Sequence, residues 1–301
     1  MKTRLGPDGI LFFNRNTGIN LLVDEIKVPK HLWALAPRHI SIAVTNACDL
    51  ACPHCFAPKH PAKLGINRVI GWLDELDANG CISVGFGGGE PTLYKSLPHV
   101  CEYATQNTGM AVTFTTHGHH IDDQLATALK GNVHFIRVSM DGIGTTYEKI
   151  RQRSFSALLQ RIETIREIAP FGINYLINRL TFPEIDTAIT LAAELGASEF
   201  LLLPEVPTNN ATGIDKITMQ ALLRWVSSYD GPIPLTVSEV GRDGMPIADP
   251  LPKETGLRAY AHIDASGVLK RSSFDQKGIP IGPGGIMEAL KLLRSIQEVS
   301  R

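Results

Sequence analysis

From residue 39 onward the chain alternates short apolar, β-branched runs with longer stretches of helical period, and this alternation limits the fold more tightly than any other feature. Strands are predicted over residues 39–44, 82–86, 111–115, 134–139, 173–177 and 199–203. Between them, helical spacing is carried by Val69, Ile70, Leu73 and Leu76, by Leu125, Ala128 and Leu129, by Leu158, Leu159, Ile162 and Ile165, and by Ile189, Leu191, Ala192 and Leu195. Strand starts lie about 25 to 45 residues apart, room for one crossover helix each, which predicts an α/β fold with a parallel sheet. Right-handed crossovers wind such units into a barrel or an open sheet, and both place functional loops at the carboxyl ends of the strands.

Composition excludes several classes. With 44% hydrophobic and 20% charged residues over 301 positions, the chain can bury a full core and is neither disordered nor fibrous. Its 29 Lys+Arg against 30 Asp+Glu leave a net charge of −1, which offers no global field for nucleic acid or an anionic membrane. Neither a signal segment nor an uninterrupted apolar span of membrane length is present, so the expected location is the cytoplasm.

Three of the five cysteines, Cys48, Cys52 and Cys55, fall in the loop after the first predicted barrel strand, spaced C-x3-C-x2-C. A structural zinc ion normally takes four ligands, and a fourth would have to come from His54, His60 or a distant residue. A [4Fe–4S] cluster needs a ligand for each iron, so three thiolates leave one iron open to an exogenous molecule. Cys81 and Cys101 read as small apolar packing residues. The second strand runs into Gly87-Gly88-Gly89-Glu90-Pro91-Thr92, where glycines let backbone approach a ligand closely and Glu90 adds an acceptor for an ammonium group.

At these residues the sequence resembles the radical S-adenosylmethionine (radical SAM) family. The resemblance runs over residues 39–205 and keeps the family's motif order. It implies a partial (β/α)6 barrel core at 39–205, with an N-terminal extension at 1–38 and a C-terminal extension at 206–301 that covers the open side without an auxiliary cluster. It further implies a [4Fe–4S] cluster on Cys48, Cys52 and Cys55, with S-adenosylmethionine on the open iron. Gly88, Gly89 and Glu90 would hold the methionine amino group. The stretch Ser139-Met140-Asp141-Gly142 looks like the family's S-x-D-G element, with Ser139 near the ribose and Asp141 beside it. Arg151 would meet the cofactor carboxylate, Asn178 the adenosine, and His54 takes the place of an aromatic residue near the adenine. His117, in Thr115-Thr116-His117-Gly118, departs from the family's T-N-G, and the run through His120 reads as a polar loop.

The implied chemistry is one-electron cleavage of S-adenosylmethionine and hydrogen-atom abstraction from a substrate C–H position. The expected partners are an electron donor such as flavodoxin or ferredoxin and a ribosomally made peptide; the alternative substrate is a small molecule of natural-product, nucleoside or cofactor biosynthesis. A zinc-stabilised or degenerate binding module is the reading of another class. Glu205, after the sixth strand, is the one candidate for contact with substrate or a proton. No cysteine follows Cys101, and Ser272-Ser273 stand where a cysteine-rich region of related enzymes would begin, which removes any basis for auxiliary clusters.

Overall fold

The computed structural model describes residues 1–299. Three N-terminal strands, β1 (Lys2–Gly6), β2 (Gly9–Phe13) and β3 (Asn20–Val23), form an antiparallel meander. The apolar runs at Ile10 and Ile19 foreshadow β2 and β3. β1 is hidden in the sequence because its Lys2 and Arg4 break the apolar texture.

The barrel strands follow: β4 (His39–Thr45), β5 (Ser83–Gly88), β6 (Ala111–Thr116), β7 (Phe135–Ser139), β8 (Phe171–Ile177) and β9 (Phe200–Pro204). They pair parallel and in sequence order, β4 to β9. A sheet whose chain neighbours are always its space neighbours winds in one sense and curls, which is the partial (β/α)6 barrel expected from the sequence. Helices α1 (Ile66–Ala78), α2 (Leu97–Asn107), α3 (Asp123–Leu129), α4 (Gly144–Arg151), α5 (Phe155–Ile165) and α6 (Ile185–Glu194) lie in the crossovers. Alternate strand residues such as Ile40, Ile42, Val84, Phe86, Val112 and Phe114 are buried in one core with Leu73, Leu76, Val100 and Ile162 of the helices. Cys81 and Cys101 are fully buried within that core. The intervening residues, among them Ser41, Thr115, Arg137 and Ser139, are half-buried and face the concave side.

The C-terminal residues lengthen the same sheet at both edges. After α7 (Lys216–Ser227), β10 (Leu235–Val237) pairs parallel with β9. β11 (Tyr260–Ile263) pairs parallel with β4 and continues into β12 (Val268–Lys270) and β13 (Ile279–Pro280), before α8 (Gly285–Val299). The hairpin at 260–271 is legible from its turn, whereas its docking beside β4 carries no local signal.

One arginine ties these parts together. Arg4 is 2% exposed; its Nε donates to Glu254 Oε1 at 2.9 Å, and its Nη atoms donate to the carbonyls of Ala36, Gly80 and Arg258. A buried guanidinium with this many acceptors is tolerated, whereas the same group stripped of its counterion is not. Glu254→Ala is therefore expected to destabilise the protein by about 3 kcal/mol or more. Chemical denaturation with Glu254→Gln as a milder control checks this; an unchanged midpoint would show that the pair contributes nothing.

Candidate functional site at the carboxyl end of the barrel

The loop between β4 and α1 carries Cys48, Cys52 and Cys55, all free thiols, with Cys52 8% exposed and the other two half-buried. Its start lies against the end of β5. The Gly89 N–H donates to the Thr45 carbonyl at 2.7 Å, and the Glu90 N–H to the Ala47 carbonyl at 2.8 Å. A Cβ on Gly88, whose φ is +134°, would stand 2.1 Å from the Thr45 oxygen, and one on Gly89 would stand 2.3 Å from the Ala47 oxygen. The glycines are thus needed first by the cysteine loop itself, which packs where side chains would be.

Each thiol has a donor beside it. The Leu50 N–H points to Cys48 Sγ at 3.4 Å, Arg151 Nη1 to Cys52 Sγ at 3.6 Å, and Lys59 Nζ to Cys55 Sγ at 3.1 Å. Burial pushes the Cys48 and Cys52 thiols up, and Arg151 opposes this at Cys52. Ligation would therefore displace protons from these two sulfurs.

Glu90 is 1% exposed and already committed within the protein: Oε1 accepts from the Thr92 N–H and from the Thr92 and Thr116 hydroxyls, and Oε2 from the His117 N–H at 2.9 Å. Asp141, 1% exposed, accepts from the Leu176 N–H, is ion-paired with Arg151, and lies 3.2 Å from His54 Nε2. Burial alone would raise its carboxyl, but the Arg151 guanidinium and His54 hold it well below the usual carboxylate range. Arg151 Nε is buried and finds no hydrogen-bond partner among the described residues. Gln152 ends α4 in the left-handed region at φ 53°, and the turn brings Arg151 to Cys52 while Arg153 reaches Asp49.

Ser139 and Asn174 are register partners at the ends of β7 and in β8, next to Arg137, which is ion-paired with Glu199. Asn178 and Glu205 meet at the ends of β8 and β9: Asn178 Nδ2 donates to Glu205 Oε1 at 3.1 Å, while Asn178 Oδ1 accepts from Leu180 and Thr181 N–H groups. The tail reaches the same mouth. Phe274 packs on Phe56 with ring centroids 4.4 Å apart, and Thr208 Oγ1 donates to the Pro53 carbonyl.

Asp49 and Arg153, which the sequence reading passed over, converge here with His117 and His120, which it read as a polar loop; His117 is instead 3% exposed. Asp49 lies 3.0 Å from His117 Nε2, 3.1 Å from His120 Nε2 and 2.8 Å from Arg153 Nη2. Burial alone would raise the Asp49 carboxyl, yet the hydrogen bonds from Arg153 and His120 hold it well below the usual range. The departure of His117 from the family pattern was the only signal available for this group. Cys48 Sγ, an Asp49 oxygen and a His117 nitrogen lie within 4.8 Å of one another, close enough for a mononuclear metal, but Asp49 and His117 already bond each other. A cavity of about 350 Å³ lies elsewhere, between β2, β3 and the starts of β4 and β5, so concavity does not single out the cysteine loop; its donor set does.

Comparison with known proteins decides the family. The profile of the Radical SAM superfamily matches residues 42–193, half of the chain. The chain belongs to the radical SAM superfamily. Membership makes it an enzyme whose cofactors are a [4Fe–4S] cluster and S-adenosylmethionine. Among curated relatives, Fe-coproporphyrin III synthase of Methanosarcina barkeri is 30% identical over 182 residues, covering 57% of this chain and 45% of the relative. Mycofactocin maturase MftC of Mycobacterium tuberculosis is 28% identical over 172 residues, covering 54% and 44%. The chain thus spans about half the length of the curated relatives it matches. Among solved structures, Streptococcus suis SuiB bound to precursor peptide SuiA superposes with a TM-score of 0.72 at 14% identity over 96% of this chain and 86% of that one. Native anSMEcpe with bound AdoMet gives 0.63 at 15% identity over 87% and 82%. At such identities the superpositions bear on the fold alone.

Two outcomes follow from the geometry. Gly88→Ala and Gly89→Ala are each expected to lower stability by about 1–3 kcal/mol, because Thr45 and Ala47 backbone must move; differential scanning calorimetry reads this, and an unshifted melting temperature contradicts it. Asp141 titrates lower in the folded state, so its contribution is present above its unfolded value near 4 and is lost as the pH falls toward the folded one. The melting-temperature gap between wild type and Asp141→Asn should be widest near pH 7 and narrow below about pH 4; a gap that widens on acidification contradicts the assignment.

Proposed function

We propose that the chain is a single-cluster radical SAM enzyme that modifies a C–H position of a ribosomally made peptide. The observation that carries the reading is the set of three thiols gathered in one loop against a glycine strand at the carboxyl end of a parallel barrel. Cys48, Cys52 and Cys55 are taken as the cluster ligands, and the residues fit that group: each thiol has a donor that suits a thiolate. When bound, cluster and S-adenosylmethionine supply a 5′-deoxyadenosyl radical that removes a hydrogen atom from substrate.

The chain's own residues bind and orient. The buried, unpartnered Arg151 Nε suits the cofactor carboxylate, and Asp141 holds that guanidinium in place while His54 closes over Asp141. Gly88 and Gly89 are assigned to the methionine amino group through backbone, with Glu90 bracing the segment from behind because its oxygens are occupied. Ser139 and Asn178 are assigned to the nucleoside, and Glu205, fixed by Asn178, to the substrate side. Residues 39–205 are the catalytic core in this reading, and residues 1–38 and 206–301 are its extensions.

A peptide substrate is favoured by the similarity to a mycofactocin maturase and to a structure holding a precursor peptide, and by a concave face rich in amide, hydroxyl and ion-paired groups. The relative that is a porphyrin synthase favours a small molecule instead. No helix among the described residues is long and apolar enough to cross a membrane, and the proposed setting is the cytoplasm with a flavodoxin or ferredoxin as electron donor.

Anaerobic reconstitution should give about four irons per chain, a brown chromophore and reductant-dependent 5′-deoxyadenosine. Cys52→Ala should lose all three. A wild-type protein that takes up one zinc and leaves S-adenosylmethionine intact would sink the reading. A mass change on a candidate peptide after turnover separates peptide from small-molecule substrates.

A further inference from the structure

His117 joins the two segments that meet at the mouth of the barrel. It is 3% exposed. Its backbone N–H donates to Glu90 Oε2 at 2.9 Å, on the glycine segment, and its ring Nε2 lies 3.0 Å from Asp49 Oδ1, on the cysteine loop. The tautomer is fixed locally. Nδ1 accepts the His119 N–H at 3.2 Å, so the ring proton sits on Nε2 and is donated to Asp49.

Asp49 directly follows Cys48 and is also held by His120 and Arg153. These three contacts differ in strength. The side chains of Arg153 and His120 are 39% and 38% exposed, so water competes for both contacts and salt screens them. The His117 ring is buried, so its bond to Asp49 is the persistent one. The stretch from β4 to α1 is irregular across residues 46–65, and an unanchored loop of that length would lose much conformational entropy in presenting three thiols at fixed spacing.

We propose that His117 is a positioning residue which, through Asp49, holds Cys48 at a set place relative to the glycine segment, so that the loop is preorganised for iron and releases it slowly. The proposal rests on the cluster reading above and adds a residue that touches neither iron nor substrate. Partners that orient metal ligands from behind typically govern about 10- to 100-fold in metal affinity.

The test compares anaerobically reconstituted wild type with His117→Leu, His117→Gln, Asp49→Leu and the double variant. The readouts are iron release to a ferrous chelator, the electron paramagnetic resonance spectrum of the reduced protein, and circular dichroism of each apoprotein. His117→Leu should release iron at least about tenfold faster. His117→Gln, which restores a side-chain N–H donor, should recover most of that loss. Asp49→Leu should likewise release iron faster, and the double variant should add less than the sum, because both remove the His117–Asp49 contact. His117→Leu also removes the ring's approach to Glu90 Oε2 at 3.4 Å, and Asp49→Leu the contacts of His120 and Arg153. Should His117→Leu fail to fold, the glutamine variant and Asp49→Leu still decide: equally fast release from both, or rates equal to wild type from both, overturns the proposal. Strictly additive effects in the double variant also overturn it. A wild type that takes up no cluster overturns the parent reading along with this one, whereas a loaded wild type indistinguishable from a folded His117→Leu overturns this one alone.

Discussion

The mouth of this barrel depends on a backbone-to-backbone contact. The cysteine loop leaves β4 with its Thr45 and Ala47 carbonyls pressed against the end of β5, at a distance that only hydrogen side chains permit. Everything that bears on iron is arranged around that contact: the loop's path, the inward turn of Glu90, and the position of β6, whose Thr116 and His117 saturate the Glu90 carboxylate. A glycine-rich segment in such a place is usually explained by its ligand. Here the protein's own main chain is a sufficient reason, and any ligand contact is additional.

The second organising element is charge held out of water. Two aspartates sit behind the thiols, Asp141 within the core and Asp49 nearer solvent, and each is surrounded by donors from other segments. Arg151 serves two acceptors, the Asp141 carboxylate and the Cys52 sulfur, and the left-handed Gln152 sets its neighbour Arg153 on the other aspartate. A buried carboxylate without such partners would stay protonated and could not orient anything. The loop is thus held through Asp49 by His117, His120 and Arg153, and its Cys52 faces Arg151, which is paired with Asp141.

Much of this was legible in the sequence, for reasons that differ element by element. The six barrel strands are continuous apolar runs buried on their helix side, and their pattern locates each within a residue or two. α4 escaped notice because Gly144-Thr145-Thr146 opens it without helical formers and its buried face is only Tyr147 and Ile150. β10 is three residues long and gains its partner from β9, which no local pattern reveals. In the site, the cysteines and glycines announced themselves by spacing. Asp49, His117, His120 and Arg153 did not, since a carboxylate collecting donors from loops 68 and 104 residues away is a property of the tertiary arrangement alone.

The placement of β11 beside β4 has a consequence for how the protein comes into being. β4 carries the cysteine loop, yet Ser41 and its neighbour His262 across the pair are 221 residues apart in the chain. During synthesis on a ribosome, one edge of that strand stays bare until residues 260–263 have emerged, an invitation to mispairing with other nascent chains. Metal delivered before that seam closes would meet a strand free to shift. The topology therefore makes β11 the late clasp of a strand made more than two hundred residues earlier.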